Sequence, residues 1–375
     1  MLEKVGFKNF LALRDVEIDL EPFTVIVGPN SSGKSTILEG IDRVSKSHFA
    51  KFAQTLFLTE DEKNEKNILS AFNYVINQQA DEKIISITIK DSEEYPKIFQ
   101  IESMGERVNF HSQIVHTDEF HFSNNRVIVA NFQSQIVKFS HELASKPSYS
   151  TKINPKIDKS GLGLPTLCAY LQLEDNKIFS RVKEMLCLII PNLVDFRVKP
   201  ESVPASYWFD IEDTKAHQKD VYQNREAIGH GLYFDFIKTS NIPAKFVSEG
   251  TILSLMLLVF SASQRKETVF LIDDLEKGLH PKAVRELITS LRKLQILFPT
   301  LQILATSHSP YVLHSLKPNE VRVVTLDPER GTLVAPLEAY PEFDKWRDAM
   351  TPGEFWSFVG EDWVKDLPTL EKTSA

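Results

Sequence analysis

The chain has 375 residues, of which 42% are hydrophobic, 25% charged and 10% aromatic, a composition that excludes disordered, collagenous and disulfide-scaffold classes. Its 51 Asp and Glu outweigh 43 Lys and Arg for a formal charge of -8, so no global basic field draws it to nucleic acid or anionic lipid. Its longest apolar runs, such as 255–260, fall far short of the roughly 20 residues that span a bilayer.

The opening Met1-Leu2-Glu3-Lys4 lacks the apolar core of a signal peptide. Cys168 and Cys187 are the two cysteines and form no Cys-x-x-Cys. Together these features lead us to expect a cytoplasmic protein with no membrane partner and no thiolate zinc site.

In chain order, Val5, Phe7 and Phe10, then Val16, Ile18 and Leu20, then the apolar run from Phe23 to Val27 are separated by Arg14-Asp15 and Glu21-Pro22. That pattern predicts three short strands. The third runs into a glycine loop, after which Ile37, Leu38, Ile41 and Val44 recur at helical spacing over 35–44. From about 50 to 130, helical patches mix with strand-like runs at 84–89, 99–101 and 127–129. Residues 146–163, rich in Lys, Ser, Pro and Gly, read as an exposed loop ahead of a mostly helical stretch at 164–191. The last third alternates a helix at 251–263, a strand at 268–272, a helix at 281–296, a strand at 301–305, a helix at 309–316 and a strand at 320–325. Alternation of that kind predicts an α/β fold with a largely parallel sheet covered on both faces.

Gly28-Pro29-Asn30-Ser31-Ser32-Gly33-Lys34-Ser35 fits G-x-x-x-x-G-K-[ST] and lies between a predicted strand and a predicted helix, the context that makes the pattern a site. Backbone N–H groups from Asn30 to Thr36 are candidates to cradle phosphates at the helix N-terminus. Lys34 reaches the β- and γ-phosphates, and Ser35 meets Mg²⁺. Val269-Phe270-Leu271-Ile272-Asp273-Asp274 reads as a buried strand delivering two acids to the sheet's C-terminal edge. There Asp273 is the metal candidate, and Asp274 the group that orients or deprotonates the attacking water.

Phe246-Val247-Ser248-Glu249-Gly250-Thr251, Gly278-Leu279-His280-Pro281 and Ala305-Thr306-Ser307-His308-Ser309-Pro310 follow in the order of a signature, a D-loop and a switch histidine. With these segments the chain resembles an ABC-type ATPase head of the SMC, RecF and OLD branch. The resemblance lies at 1–47 and 244–316. It implies one ATPase domain: an N-terminal lobe with the phosphate loop at 1–145, a helical and loop insert at 146–240, a C-terminal lobe at 241–340 and a helical tail at 341–375. It also implies that Ser248, Glu249 and Gly250 cap the γ-phosphate of an ATP held by a second copy, in a head-to-head homodimer, while His308 contacts that phosphate in cis. Gln133, with Gln135 next, is the candidate for the loop glutamine that binds Mg²⁺ and water. Lys8, Asn9 and Arg14 stand where similar heads touch the nucleotide.

Two positions depart from the usual head. The signature reads Ser-Glu-Gly-Thr, and Asp274 stands where glutamate is common. Being one methylene shorter, Asp274 predicts slow hydrolysis, with Glu276 as a substitute base. No heptad array fills the interval between Lys34 and Ser248, so no SMC-type coiled-coil arm is expected. The stretch after His308 is too short for a Toprim nuclease domain and holds no Asp-x-Asp.

The segment 350–364 resembles the tails of AAA_21-like standalone ATPases of bacterial anti-phage operons. Trp356, Val359 and Trp363 there suggest a single helical stripe that docks a partner. The resemblance thus implies an ATPase that controls a separately encoded effector, a nuclease, in bacterial defence. Two alternatives stand beside it. One is a RecF-like repair clamp that contacts DNA through Lys146, Lys152, Lys156 and Lys159; the other is a nucleotide-gated scaffold that scarcely hydrolyses.

Overall fold

Alternation, buried runs and a glycine loop translate into strands and helices in that order. The computed structural model describes residues 1–46, 84–91, 97–104, 107–114, 132–150, 152–153, 155, 157–204, 208–209, 226–263, 267–277 and 279–367. In chain order the strands are β1 (Leu2–Phe10), β2 (Leu13–Asp19), β3 (Phe23–Val27), β4 (Ile84–Asp91), β5 (Lys97–Met104), β6 (Arg107–Ile114), β7 (Phe132–Val137) and β8 (Tyr149–Ser150). They continue with β9 (Leu193–Pro204), β10 (Trp208–Phe209), β11 (Glu226–Phe236), β12 (Thr239–Pro243), β13 (Glu267–Ile272), β14 (Leu301–Ser307), β15 (Val321–Asp327) and β16 (Gly331–Pro336). The run expected at 127–129 lies outside the described residues.

The chain divides into two compact units. One comprises Met1–Ile136, Lys266–Gly278 and Thr300–Ala375; the other comprises Val137–Arg265 and Leu279–Pro299.

The first unit is built on a six-stranded sheet in the order β16-β15-β3-β14-β13-β7. β15, β3, β14 and β13 pair in parallel, and β16 is an antiparallel edge. Every residue of β3 and β14 is buried, the polar Thr24, Gln302, Thr306 and Ser307 included, as expected of parallel strands covered on both faces. An antiparallel sheet, β2-β1-β4-β5-β6, accompanies it, and β1 and β2 show the half-buried alternation seen in their sequences. A shared core joins Phe7, Phe10, Leu13 and Ile87 with Ile26, Ile37, Ile41, Leu271 and Leu304.

Two polar ties lock this unit. The buried Gln302 amide donates to the carbonyls of Leu2 and Glu21 and accepts the Leu2 N–H at 2.9 Å. Asp42, on the helix Lys34–Lys46, accepts the Ser134 hydroxyl of β7 at 2.7 Å. Satisfied buried polar groups of this kind fix one register against its alternatives.

The second unit packs helices against the antiparallel sheet β12-β11-β9. In its core Phe179 meets Phe196 edge to face and Phe196 stacks on Phe234, with ring centroids 5.5 and 5.8 Å apart. The helix Glu249–Ser263 is apolar on all sides and buries every residue from Ile252 to Val259, the small Ser254 among them. An all-round apolar helix belongs in an interior. The helices Leu164–Glu174 and Asn176–Ile189 fill the stretch read as helical.

The segment read as an exposed loop is anchored: Ser148 is fully buried and its hydroxyl meets Thr166 at 2.9 Å, while Ile157 is also buried. Polarity of sequence did not reveal those anchors, because each partner lies elsewhere in the chain.

The sequence reading of one Trp356, Val359 and Trp363 stripe is corrected. The helix Pro352–Val359 ends at Gly360, whose φ of 66° reverses the chain, and Trp363 begins a separate turn. Trp363 packs edge-on to Tyr340, with centroids 5.5 Å apart, and its Nε1 donates to the Gly360 carbonyl at 3.0 Å. The helix expected at 309–316 shortens to Pro310–Leu313. Among the described residues, no helix is long and apolar enough to cross a membrane.

Candidate nucleotide-binding site

The parallel registers set three loops at one edge of the sheet. Val27 of β3 lies level with Ser307 of β14, and Ala305 of β14 with Ile272 of β13. The glycine loop, the acids after β13 and His308 therefore leave from the same C-terminal edge, where open parallel sheets bind ligands.

The loop turns through left-handed backbone at Ser31, with φ 61°, and at Gly33, with φ 98°. A Cβ on Gly33 would stand 2.6 Å from Thr332 Oγ1 and 3.2 Å from Leu13 Cδ2, so only glycine fits. The buried Thr332 hydroxyl donates to the Ser32 carbonyl at 3.0 Å and holds the loop from behind. Ser32 is itself fully buried, and its Oγ has no hydrogen-bond partner among the described residues.

Lys34 Nζ donates to the carbonyls of Gly28 at 2.9 Å and Pro29 at 2.6 Å. Burial pulls its pKa below the ordinary lysine value, opposed by the charges of Asp274, Asp273, Glu276 and Glu361. The first helical bond, Ile37 N–H to Gly33 O at 3.1 Å, starts the helix directly from the loop, and its N-terminus carries the positive end of the dipole.

At the foot of the loop, Ser35 Oγ donates to Asp273 Oδ1 at 2.9 Å, and Thr306 Oγ1 donates to the same oxygen at 2.9 Å. Thr306 Oγ1 also accepts the Asp274 N–H at 2.9 Å. Asp274 has φ 56°, a conformation rare outside glycine and asparagine. Its Oδ1 stands 3.6 Å from His308 Nε2, and these side chains are 43% and 36% exposed. Glu276 Oε1 instead accepts the His308 N–H at 2.6 Å, while its Oε2 is buried without a partner among the described residues.

A hydroxyl and a carboxylate are hard-oxygen donors of the kind Mg²⁺ requires, and they adjoin a glycine loop at a helix N-terminus, the setting that suits phosphate. Ser35, Asp273, Lys34 and the loop backbone thus fit both groups.

Other predicted residues fall as follows. Arg14 donates to the carbonyl of Glu329, in the turn between β15 and β16. Lys8 is exposed on β1, and Asn9, with φ 58°, is the last but one residue of that strand. Gln133 and Gln135 lie in β7, but their side chains are outside the described residues.

In the second unit, Ser248, Glu249 and Gly250 start the helix Glu249–Ser263. The Ser248 hydroxyl meets Thr251 Oγ1 at 2.8 Å, and a Cβ on Gly250 would find open space. Gly278 lies outside the described residues, and His280 caps the helix Pro281–Leu297 by accepting the Lys282 N–H. Lys146 pairs with Glu142 at 2.7 Å, Lys152 and Lys159 are exposed, and Lys156 lies outside the described residues. Thr306 and Thr332 escaped the sequence reading; the signal for Thr306 is a polar residue inside a wholly buried strand, while Thr332 stands at the buried start of the edge strand β16 and carries no such signal.

A family model described as AAA domain, putative AbiEii toxin, Type IV TA system matches residues 23–314. Septu protein PtuA of Bacillus mycoides is 24% identical over 353 residues, covering 89% of this chain and 42% of that protein. The OLD nuclease of Thermus scotoductus is 52% identical over 44 residues, 12% of this chain and 8% of that protein. The chain therefore spans less than half the length of the curated relatives it matches. An SMC head solved with the C-winged helix domain of ScpA aligns over 89% of this chain and 96% of its own, with TM-score 0.49 and 13% identity. With the family model covering most of its length, this chain belongs to the AAA domain, putative AbiEii toxin, Type IV TA system family.

Proposed function

We propose that this chain binds ATP with Mg²⁺, hydrolyses it slowly, closes head to head with a second copy around the nucleotide, and so controls a separately encoded nuclease in bacterial anti-phage defence. One observation carries the reading: two hydroxyls converge on Asp273 beside the phosphate loop, with Asp274 and His308 3.6 Å apart next to them.

Lys34 and the loop N–H groups bind the β- and γ-phosphates, and Ser35 and Asp273 hold the metal. Bound there, Mg²⁺ supplies charge neutralisation to the phosphates. Asp274, half exposed, orients the attacking water and takes its proton, and His308 steadies the γ-phosphate. Glu276 commits one oxygen to the His308 N–H, which favours Asp274 over it as the base. Gln133 completes the metal and water shell from β7, and Arg14 borders the nucleotide.

The exposed Ser248 and the open space at Gly250 support a signature that meets the partner's γ-phosphate. The cytoplasm, with its ATP, is the compartment the reading requires. Delivery to an effector is supported by the family's description as a putative toxin of a Type IV TA system and by similarity to PtuA and an OLD nuclease.

The test is a tagged pull-down from the native host with ATP and Mg²⁺, run beside Lys34→Ala, together with ATP turnover of the purified chain. A nuclease at fixed ratio, lost with Lys34→Ala, is the expected result. DNA recovered without a protein partner would overturn effector control and favour the repair clamp.

A further inference from the structure

Thr306 sits two residues before the switch histidine, the sixth residue of a seven-residue strand that is buried throughout. Its hydroxyl works in both directions. It donates to Asp273 Oδ1 at 2.9 Å and accepts the backbone N–H of Asp274 at 2.9 Å. One oxygen therefore fixes the side chain of the first acid and the backbone of the second. The second acid needs that support, because φ 56° is a strained conformation for aspartate and persists only where surrounding contacts over-determine it. The carbonyl of Thr306 adds a third tie by accepting the Leu275 N–H at 3.0 Å. β14 thereby grips the turn after β13 at three consecutive residues, Asp273 to Leu275.

We infer that Thr306 is a positioning residue that splints Asp273 and Asp274, so that metal affinity and water activation depend on a side chain that touches neither nucleotide nor metal. The inference rests on the ATPase reading above and extends it to Thr306, a residue of the His308 segment to which that reading gives no role. A valine there would keep the β-branched shape, remove the donor to Asp273 and orphan the Asp274 N–H. A serine would keep both hydrogen bonds.

The experiment measures the affinity of a fluorescent ATP analogue with and without Mg²⁺ for the parent chain, Thr306→Val and Thr306→Ser, alongside steady-state hydrolysis. For Thr306→Val, the Mg²⁺-dependent gain in affinity should shrink by about tenfold and kcat should fall by about 10- to 100-fold, the scale of a hydrogen bond to a charged group. Metal-free affinity should change by less than about threefold, because the loop is untouched. Thr306→Ser should restore both quantities.

The inference is overturned if Thr306→Val keeps the parent's Mg²⁺ dependence and rate, or if the folded serine variant is as impaired as valine, which would assign the effect to the lost methyl. Should valine not fold, Thr306→Ala against Thr306→Ser makes the same comparison. A parent chain that binds Mg²⁺ and nucleotide together but never turns over would overturn the hydrolysis reading alone, since the Mg²⁺ linkage in binding still reads the splint.

Discussion

Lys34, Ser35, Asp273 and Thr306 are each hydrogen-bonded inside the first unit, while in the second unit Ser248 bonds the next turn's Thr251 and Gly250 faces open space. The same proposed reaction thus draws on two kinds of site. One is pre-organised and needs little ordering to bind phosphate, which leaves more of the contact energy for affinity and for the transition state. The other is a helix start with room beside it, suited to a phosphate that arrives with a second copy.

Breaking the ordered site should have the largest effect. Lys34→Ala removes both the loop's internal tie and its phosphate contact, and should lower ATP affinity on the order of 1,000-fold in calorimetric titration. Affinity within tenfold of the parent would move the binding site elsewhere. Asp274→Asn comes next. Asparagine tolerates φ 56° at least as well as aspartate, so this exchange removes the proton acceptor without adding strain. Turnover should drop by about 100-fold with nucleotide affinity kept, and ATP should leave a lasting dimer in light scattering. Parent-rate hydrolysis would pass the base role to Glu276.

Gly33→Ala probes the same site through the backbone. With φ 98° and Thr332 Oγ1 only 2.6 Å from the new Cβ, it should cost about 2–3 kcal/mol in chemical denaturation. A loss below about 0.5 kcal/mol would mean that the loop relaxes freely and is not pre-organised.

The corresponding change in the other unit has the opposite sign. Gly250→Ala lies in a helix with nothing near the new methyl, so the fold should gain up to about 1 kcal/mol from helix propensity. ATP-dependent dimerisation should weaken at the same time if Gly250 is where the partner's phosphate approaches. Unchanged dimerisation would separate the signature helix from the dimer contact.

What could be read in advance follows from the range of the interactions. Gly28 to Ser35, the Val269 to Asp274 strand and the succession of strands and helices after 249 are encoded within a few neighbours each, and they stand where the sequence put them. The second unit's sheet was not foreseen. β9 sets the buried Phe196 on the face opposite Arg197, Lys199 and Glu201, a face that is completed only once β11 pairs with it and brings Phe234 beside Phe196. The tail misled because Trp356 to Trp363 keeps helical spacing across Gly360, and a single positive φ breaks it. The tie between Glu276 and His308 and the double role of Thr306 join residues some thirty positions apart, so no local pattern records them. Gln133 reads from sequence as a loop residue following a strand at 127–129, whereas it lies inside β7, where no local apolar run announces a strand.

The smallest change separates backbone from side chain within the phosphate loop. Ser32 is fully buried and its hydroxyl has no partner among the described residues, although its carbonyl is held by Thr332. Deleting an unsatisfied buried hydroxyl removes a desolvation penalty rather than a bond. Ser32→Ala should therefore leave stability within about 0.5 kcal/mol of the parent, or raise it slightly. If the cradle is made of N–H groups alone, ATP affinity should also stay within about threefold. A tenfold weaker affinity at unchanged stability would show that the hydroxyl turns toward phosphate on binding. Its buried, unpaired position would then be part of the site's readiness, and the pre-organisation of this unit would extend from its backbone to that side chain.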